Sequence, residues 1–448
     1  MKINLDIFHA YDIRGIYPDQ INEELGYKTA QAYAKFINPK NVVLGRDVRE
    51  SGPVIFEAVK KGLLDHGVDV IDIGVVTTDM LYFTVANYGY DGGIIISASH
   101  NPREFNGLKL VKKSAVPISG DSGVYDIRDL VLNDYQYQAK NKGEIIRKDV
   151  LEDYLARCLS LINISKIKPF KVVVNGMFGP AVQNLLKANL PIQLSLLNEN
   201  PDGSFPKGAP DPLLEENRIE TVEFIKKEKA DLGAAWDADA DRFFLFDETG
   251  RWIPGYYLTA FLGEYYSKAY PGAKIIHDPR LTWAIIDKVK SNGGVPFINK
   301  AGHSFIKERM RKEDATFGGE MSGHYYFKNY FYCDNGLIPF LVLLQIISES
   351  GKKVSELFDE YFEKYPISGE MNFDLASMDL AEPIFKRIQE KYAEAKIYLI
   401  DGLSVEFPDW RANIRSSNTQ PLIRLNVEAK SSELVGQKVR ELSELIRQ

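Results

Sequence analysis

"GGIIISASHNPREFNGLKL", residues 92–110, sets an apolar run against an abrupt polar turn. Ile94, Ile95 and Ile96 read as a buried strand, and a strand this apolar usually lies inside a parallel sheet. Ser99-His100-Asn101-Pro102 follows at once. Ser, Asn and Pro are ordinary turn residues, so a plain cap or turn accounts for Ser99 taken alone. The alternative is a nucleophile displayed at the carboxyl end of a strand, where open α/β sheets place their ligands. The rest of the chain decides between the two.

Around this stretch, β-branched runs alternate with helical patterns. "NVVLG" (41–45), "VDVIDIG" (68–74) and "GIIIS" (93–97) read as strands, with an amphipathic helix at "PVIFEAVKKGLLDHG" (53–67). That is the βαβ signature of a mixed or parallel sheet. The alternation restarts after the polar segment 137–149, with a helix at 151–162 and strands at 171–176 and 230–236. A third cycle runs from Gly255 to about Tyr365, with helices at 257–270, 281–293 and 304–312. Past Pro366 the pattern changes to strand, helix (380–395), several strands (397–407, 421–429) and a closing helix (431–448). The expected fold is α/β: three similar α/β domains with mixed sheets (1–148, 149–250, 251–365) plus a C-terminal α+β domain (366–448). At 448 residues the chain is too long for one core, as this division requires.

Charge and composition narrow the function. A net charge of −7 argues against a general nucleic-acid binder and means that an anionic ligand must be held by local cations. Cys158 and Cys333 are the only cysteines, so no disulfide framework is implied and a reducing cytoplasm suits the chain. The start, "MKINLDIF", has no signal-like apolar region. The apolar stretch 338–347 is too short to span a bilayer and reads as a buried helix.

Four further polar clusters stand out. In "WDADADRFFLFDETG" (236–250), Asp237, Asp239 and Asp241 alternate with Ala. Carboxylates this close repel one another unless a hard cation holds them, and open coordination positions suit Mg2+ shared with a phosphate oxygen. Glu248 gives an EF-hand-like spacing, but Arg242 stands where that loop needs Gly and the flanks are strand-like. "NKAGHSFIK" offers Lys300 and His303 before a helix, and "HDPRLTW" offers Arg280. In "GGEMSGHYYF", Glu320, Ser322 and His324 are flanked by glycines that permit close approach of a ligand. A carboxylate there suits a pair of sugar hydroxyls. In "NIRSSNTQPLIR", Arg415 with Ser416, Ser417, Asn418 and Thr419 suits a phosphate dianion.

A strand-end Ser-His, a three-Asp loop, a Gly-rich hydroxyl reader and a distal phosphate clamp, one per proposed unit and in this order, resemble the α-D-phosphohexomutases, most closely their phosphomannomutase/phosphoglucomutase branch. The resemblance covers nearly the whole chain: "AYDIRG", "LGRDVRESG", "SASHNP", "FNGLK", "PDGSFP", "DADADR", "KAGHSFIK", "GEMSGH" and "RSSNTQPLIR". It implies four domains around a central cleft and a reversible conversion of hexose 1-phosphate to hexose 6-phosphate. Ser99 would carry the phosphoryl group, with hexose 1,6-bisphosphate as intermediate and activator. Ser99, Asp237, Asp239 and Asp241 would bind Mg2+, and Arg242 would hold the moving phosphoryl group. His100 would support the nucleophile; Lys109, Arg280 and His303 would surround the reacting hydroxyl. Tyr11, Arg14 and Lys300 would line the substrate site, Glu320 and Ser322 would read the sugar, and Arg415, Ser417, Asn418 and Thr419 would grip the second phosphate. "PDGSFP" would be structural.

Arg280 is a poor proton acceptor, which leaves His303 or Lys109 for that task. The expected partner is a small phosphosugar, with no nucleic acid or membrane, for a monomer or dimer. The competing readings are phosphoglucosamine mutase, which "GEQSGH" and "FGTDGIRG" would favour over the motifs present, and a Mg2+-dependent sugar-phosphate phosphatase.

Overall fold

A computed structural model describes residues 4–416 and 421–447. The chain forms two compact units, and both are discontinuous: one is built from 1–253 and 322–354, the other from 254–321 and 355–448. Four domains run along it, the first three α/β with mixed sheets and the last α+β with an antiparallel sheet.

The first sheet contains β1 (Ile13–Ile16), β2 (Asn41–Arg46), β3 (Asp69–Val75), β4 (Gly92–Ile96) and β5 (Phe105–Lys112) in the order β1-β5-β4-β2-β3, extended by Ile145–Arg147. β2 pairs parallel with both β3 and β4, whereas β5 pairs antiparallel with β4 and β1. The apolar strand of the opening stretch therefore has one antiparallel neighbour. The chain turns straight back through 97–104 with no crossover helix, so β5 must run the other way. All five residues of β4 are buried. α1 (Glu23–Ile37) and α2 (Gly52–Asp65) cover a core in which Val42, Leu44, Val70, Ile94 and Ile96 meet Ala30, Tyr33, Ile55 and Val59. α1 begins at Asn22, whose side chain accepts the Leu25 N–H, and ends at Asn38 in the left-handed conformation.

The second sheet, also in the first unit, orders Trp252–Ile253, Phe243–Phe246, Leu232–Trp236, Lys171–Asn175 and Gln193–Leu197. Trp236 and Phe243 are antiparallel partners, so 237–242 is the loop of a tight hairpin. The helix Leu337–Ser350 is buried along most of its length, and Phe340 packs on Trp236 and Phe243.

In the second unit, Lys274–His277 pairs parallel with both Val295–Ile298 and Phe317–Gly319. Its C-terminal sheet is wholly antiparallel, in the order Ile367–Asp374, Leu422–Ala429, Trp410–Ser416, Leu403–Glu406, Lys396–Tyr398. The run 397–407 is thus broken into two strands, with Gly402 at φ 72° in the intervening turn. Among the described residues, no helix is long and apolar enough to cross a membrane.

Candidate active site

β4 delivers its polar turn into buried surroundings. Ser97 and Ser99 are almost wholly enclosed, and Ser99 lies at φ 50°, a left-handed conformation unusual for serine. The Ser97 hydroxyl accepts the Ser99 N–H at 2.9 Å and donates to Asp239 Oδ2 at 3.1 Å. The Ser99 hydroxyl donates to Asp237 Oδ2 at 2.7 Å, and His100 Nδ1 stands 3.2 Å from it. Burial, together with Arg242 and Arg14, pushes the His100 pKa well below the ordinary imidazole value, so the ring beside the hydroxyl is neutral.

Asp237, Asp239 and Asp241 are buried side by side, each with an oxygen within 4.8 Å of the others. Lys109, on β5, places Nζ 2.7 Å from Asp239 Oδ2 and 2.6 Å from Asp241 Oδ2. Against the cost of burial, the two carboxylates raise the lysine pKa, so it stays charged. Arg242 Nε lies 3.6 Å from Asp237, and His324 Nε2 lies 3.3 Å from Asp241. Burial and the neighbouring charges of Asp239 and Asp241 push Asp237 well above the carboxylate range. Lys109 and His324, working against burial, hold Asp241 well below it. Arg14 donates to Asn101 Oδ1 at 2.6 Å and to Asp12 Oδ2 at 2.5 Å; Tyr11 beside it is half-buried.

Of the remaining predicted residues, all but Ser322 lie in the second unit. Asp278 grips Arg280 through Nε at 3.0 Å and Nη2 at 2.8 Å, and its Oδ2 also accepts the Met321 N–H at 2.8 Å. One carboxylate thus ties Arg280 to the "GEMSGH" loop. Glu320 is buried and accepts the Gly302 N–H at 2.7 Å, immediately before His303, the first residue of the helix His303–Glu313. Lys300 is exposed, with its ammonium 4.7 Å from the Phe305 ring centroid. Arg415 lies near the end of the strand Trp410–Ser416 and approaches Glu370 at 3.5 Å. Arg424 at 3.2 Å and Arg280 at 3.7 Å share that carboxylate. Three guanidinium groups around one carboxylate leave an excess of positive charge, the electrostatics of an anion site. Ser322 belongs to the first unit, where its hydroxyl lies 3.2 Å from His324 Nδ1. Ser417, Asn418 and Thr419 fall outside the described residues.

Comparison with known proteins gives this geometry its family. The four domains of the phosphoglucomutase/phosphomannomutase family all match: alpha/beta/alpha domains I, II and III at 5–138, 152–250 and 254–365, and the C-terminal domain at 370–445. The chain belongs to the phosphoglucomutase/phosphomannomutase family. It is 43% identical to a phosphomannomutase of Vibrio cholerae, over 99% of this chain and 98% of that protein. It is also 43% identical to a phosphomannomutase of Escherichia coli, over 95% of each. A solved phosphoglucomutase/phosphomannomutase family structure from Burkholderia thailandensis superposes with a TM-score of 0.88 at 30% identity, covering 99% of this chain and 98% of that one. The family's enzymes are mutases, of the isomerase class, and this chain is one of them.

The acidic cluster fits a metal ion. Asp239 Oδ1 is buried without a hydrogen-bond partner. Lys109 and Arg242 bring two positive charges to three carboxylates, and burial together with the charges of Asp239 and Asp241 drives Asp237 toward its neutral form. All-oxygen donors suit a hard divalent cation.

Several residues that hold these side chains in place carry no local sequence signal. Thr78 donates to Asp239 Oδ2 at 2.6 Å across 161 positions of the chain. Asp278 and Glu370, which hold the arginines of the second unit, have flanks that look like ordinary loop and strand. Asp12, two residues before Arg14, shows only the alternation that aligns side chains along an extended segment.

Proposed function

We propose that this chain interconverts hexose 1-phosphate and hexose 6-phosphate, with Ser99 as the phosphoryl carrier and hexose 1,6-bisphosphate as intermediate and activator. The observation that carries the reading is the Ser99 hydroxyl, 2.7 Å from Asp237 in a buried three-carboxylate cluster at the end of β4. Asp237, Asp239 and Asp241, with the Ser99 oxygen, would hold Mg2+, which supplies Lewis-acid neutralisation of charge on the transferring group. A four-part division at 148/149, 250/251 and 365/366 and a cytoplasmic location, in keeping with two buried free cysteines, belong to the same reading.

The free hydroxyl of hexose 1-phosphate attacks the phosphorus on Ser99, the Ser99 Oγ–P bond breaks, and the bisphosphate forms. After the sugar turns end for end, the Ser99 oxygen takes the phosphoryl group from the other position and hexose 6-phosphate leaves. Lys109 and Arg280 are held as cations by their aspartates and stabilise charge rather than accept protons. His303 therefore takes the proton of the attacking hydroxyl. Arg242 lies against Asp237 and holds the transferring oxygens, while His100, neutral, orients the Ser99 oxygen. Tyr11, Arg14 and Lys300 line the substrate site, Glu320 with Ser322 reads the sugar, and Arg415 with Ser417, Asn418 and Thr419 binds the non-reacting phosphate.

Intact-mass measurement of freshly purified protein should reveal a fraction heavier by one phosphoryl group, mapped by peptide analysis to Ser99. Ser99→Ala should lose most turnover while still binding substrate. A modification elsewhere, normal turnover by Ser99→Ala, or release of inorganic phosphate in place of hexose 6-phosphate would overturn the reading.

A further inference from the structure

Arg49, in "LGRDVRESG", has no place in the chemistry above, yet its side chain is wholly buried. All five of its guanidinium N–H groups have acceptors. Nε donates to Asp47 Oδ2 at 3.2 Å, Nη1 to the carbonyls of Pro102 at 2.7 Å and Phe105 at 3.0 Å, and Nη2 to those of Ser99 and Asn101, both at 2.6 Å. Four backbone carbonyls of the 99–105 turn thus converge on one planar fork. No other side chain offers five donors in fixed directions.

Asp47 is held in turn. Its Oδ1 accepts the Arg49 backbone N–H at 2.9 Å, so the ion pair and the local backbone are one assembly.

A second segment closes over it. The ring of Phe205, in "PDGSFP", lies 4.9 Å from the guanidinium carbon. Gly203 forms a backbone bridge to Arg49, and a Cβ at Gly203 would stand 2.0 Å from the Val48 carbonyl oxygen, so only glycine permits that approach. Phe205 itself has φ 44°, a strained conformation that places its ring over the arginine. The conformation being held is also strained: Ser99 at φ 50° persists only where its surroundings over-determine it.

We infer that Arg49, locked by Phe205, is a positioning device that fixes the Ser99 turn in the left-handed conformation aiming its hydroxyl at Asp237. The inference rests on Ser99 being the phosphoryl carrier. Arg49 acts through the backbone and does not touch substrate. "PDGSFP" is then the lock of the nucleophile turn.

The test uses the full chain with Arg49→Lys, Phe205→Leu and Phe205→Tyr. A lysine brings three donors and leaves at least one of the four carbonyls unpaired. Arg49→Lys should lower kcat about 10- to 100-fold with KM nearly unchanged, since a small misplacement of a reacting group has that effect. Phe205→Leu should lower kcat by a smaller factor, about 3- to 10-fold on the same grounds, and Phe205→Tyr, which keeps the aromatic face, should restore it. Amide hydrogen exchange of 98–106 should speed up in the first two variants and not in the third. Should Arg49→Lys fail to fold, the Phe205 pair decides alone. Unchanged exchange across 98–106, wild-type kcat in Phe205→Leu, or equal losses in Phe205→Leu and Phe205→Tyr would overturn the inference. Absence of phosphoryl on wild-type Ser99 would instead overturn the nucleophile assignment on which it stands, whatever the exchange shows.

Discussion

Lys109→Met removes one charge and keeps most of the side chain's volume. In the wild-type protein the ammonium lies 2.7 and 2.6 Å from two carboxylates, with all three groups buried. Removing one partner of a buried ion pair typically costs about 3–5 kcal/mol, because the remaining charge is left uncompensated. At about 2–4 °C per kcal/mol, the transition of the first unit should fall by roughly 10 °C in chelator near pH 7.5. Two routes relieve the stranded carboxylates. A proton can neutralise one, so the deficit should shrink as pH falls. A divalent ion can replace the ammonium, and at about 100 times its Kd it returns roughly 2.7 kcal/mol. Calorimetric scans of both proteins, with chelator or Mg2+ and at pH 6 and 8, read each route. A midpoint unchanged in chelator, or a deficit identical with and without Mg2+, would refute Lys109 as the fixed counter-charge of a metal-binding cluster.

Glucose and mannose differ only at C2, to which no residue of "GEMSGH" is allotted, so their 1-phosphates should show comparable kcat/KM. Galactose 1-phosphate should be at least roughly ten-fold slower, because its altered C4 hydroxyl withdraws the sugar's hydrogen bond from buried Glu320, a penalty of about 1–3 kcal/mol; good use of galactose would remove Glu320 from sugar reading. Arg415→Ala deletes a charge-assisted contact worth about 1.5–3 kcal/mol and should weaken substrate binding about ten- to a hundred-fold in a titration. Asp79 is pushed up to about 7, first by burial and then by Asp241 and Asp334, while the Thr77 and Tyr154 hydroxyls oppose the shift. Its folded pKa exceeds its unfolded value, so the unfolded chain ionises first and stability falls as pH rises from about 4 to about 7. Asp79→Asn should remove a component of that slope, on the order of 4 kcal/mol in full, and parallel pH–stability curves for the two proteins would exclude it.

Local pattern and long-range pairing were not equally readable. The triple isoleucine run announced a buried strand, and strand-like flanks placed the aspartates between strands, because apolar runs and turn residues act over a few positions. β5 itself gave little strand signal, since Asn106, Gly107 and Lys109 interrupt its apolar residues. The charge partners were still less accessible. Lys109 meets Asp239 and Asp241 across 130 and 132 positions, and Glu370 finds Arg415 and Arg424 only by sheet pairing. Nothing local to "LGRDVRESG" says that its second arginine holds a turn fifty residues on. Residue types convertible into chemistry were visible, and the residues that position them were not.

The discontinuity of the first unit bears on how the chain is made. When residue 253 leaves the ribosome, the strands carrying Trp236 and Phe243 are complete, but Phe340 and the rest of the helix Leu337–Ser350 are about a hundred residues away. At about 5–20 residues per second, that interval lasts several seconds. Throughout it the faces destined for that helix stand open to water, next to the cluster of three aspartates. A nascent chain arrested near 253 should therefore be sticky where a finished one is not, and the period of greatest exposure to chaperones falls during synthesis of 254–336.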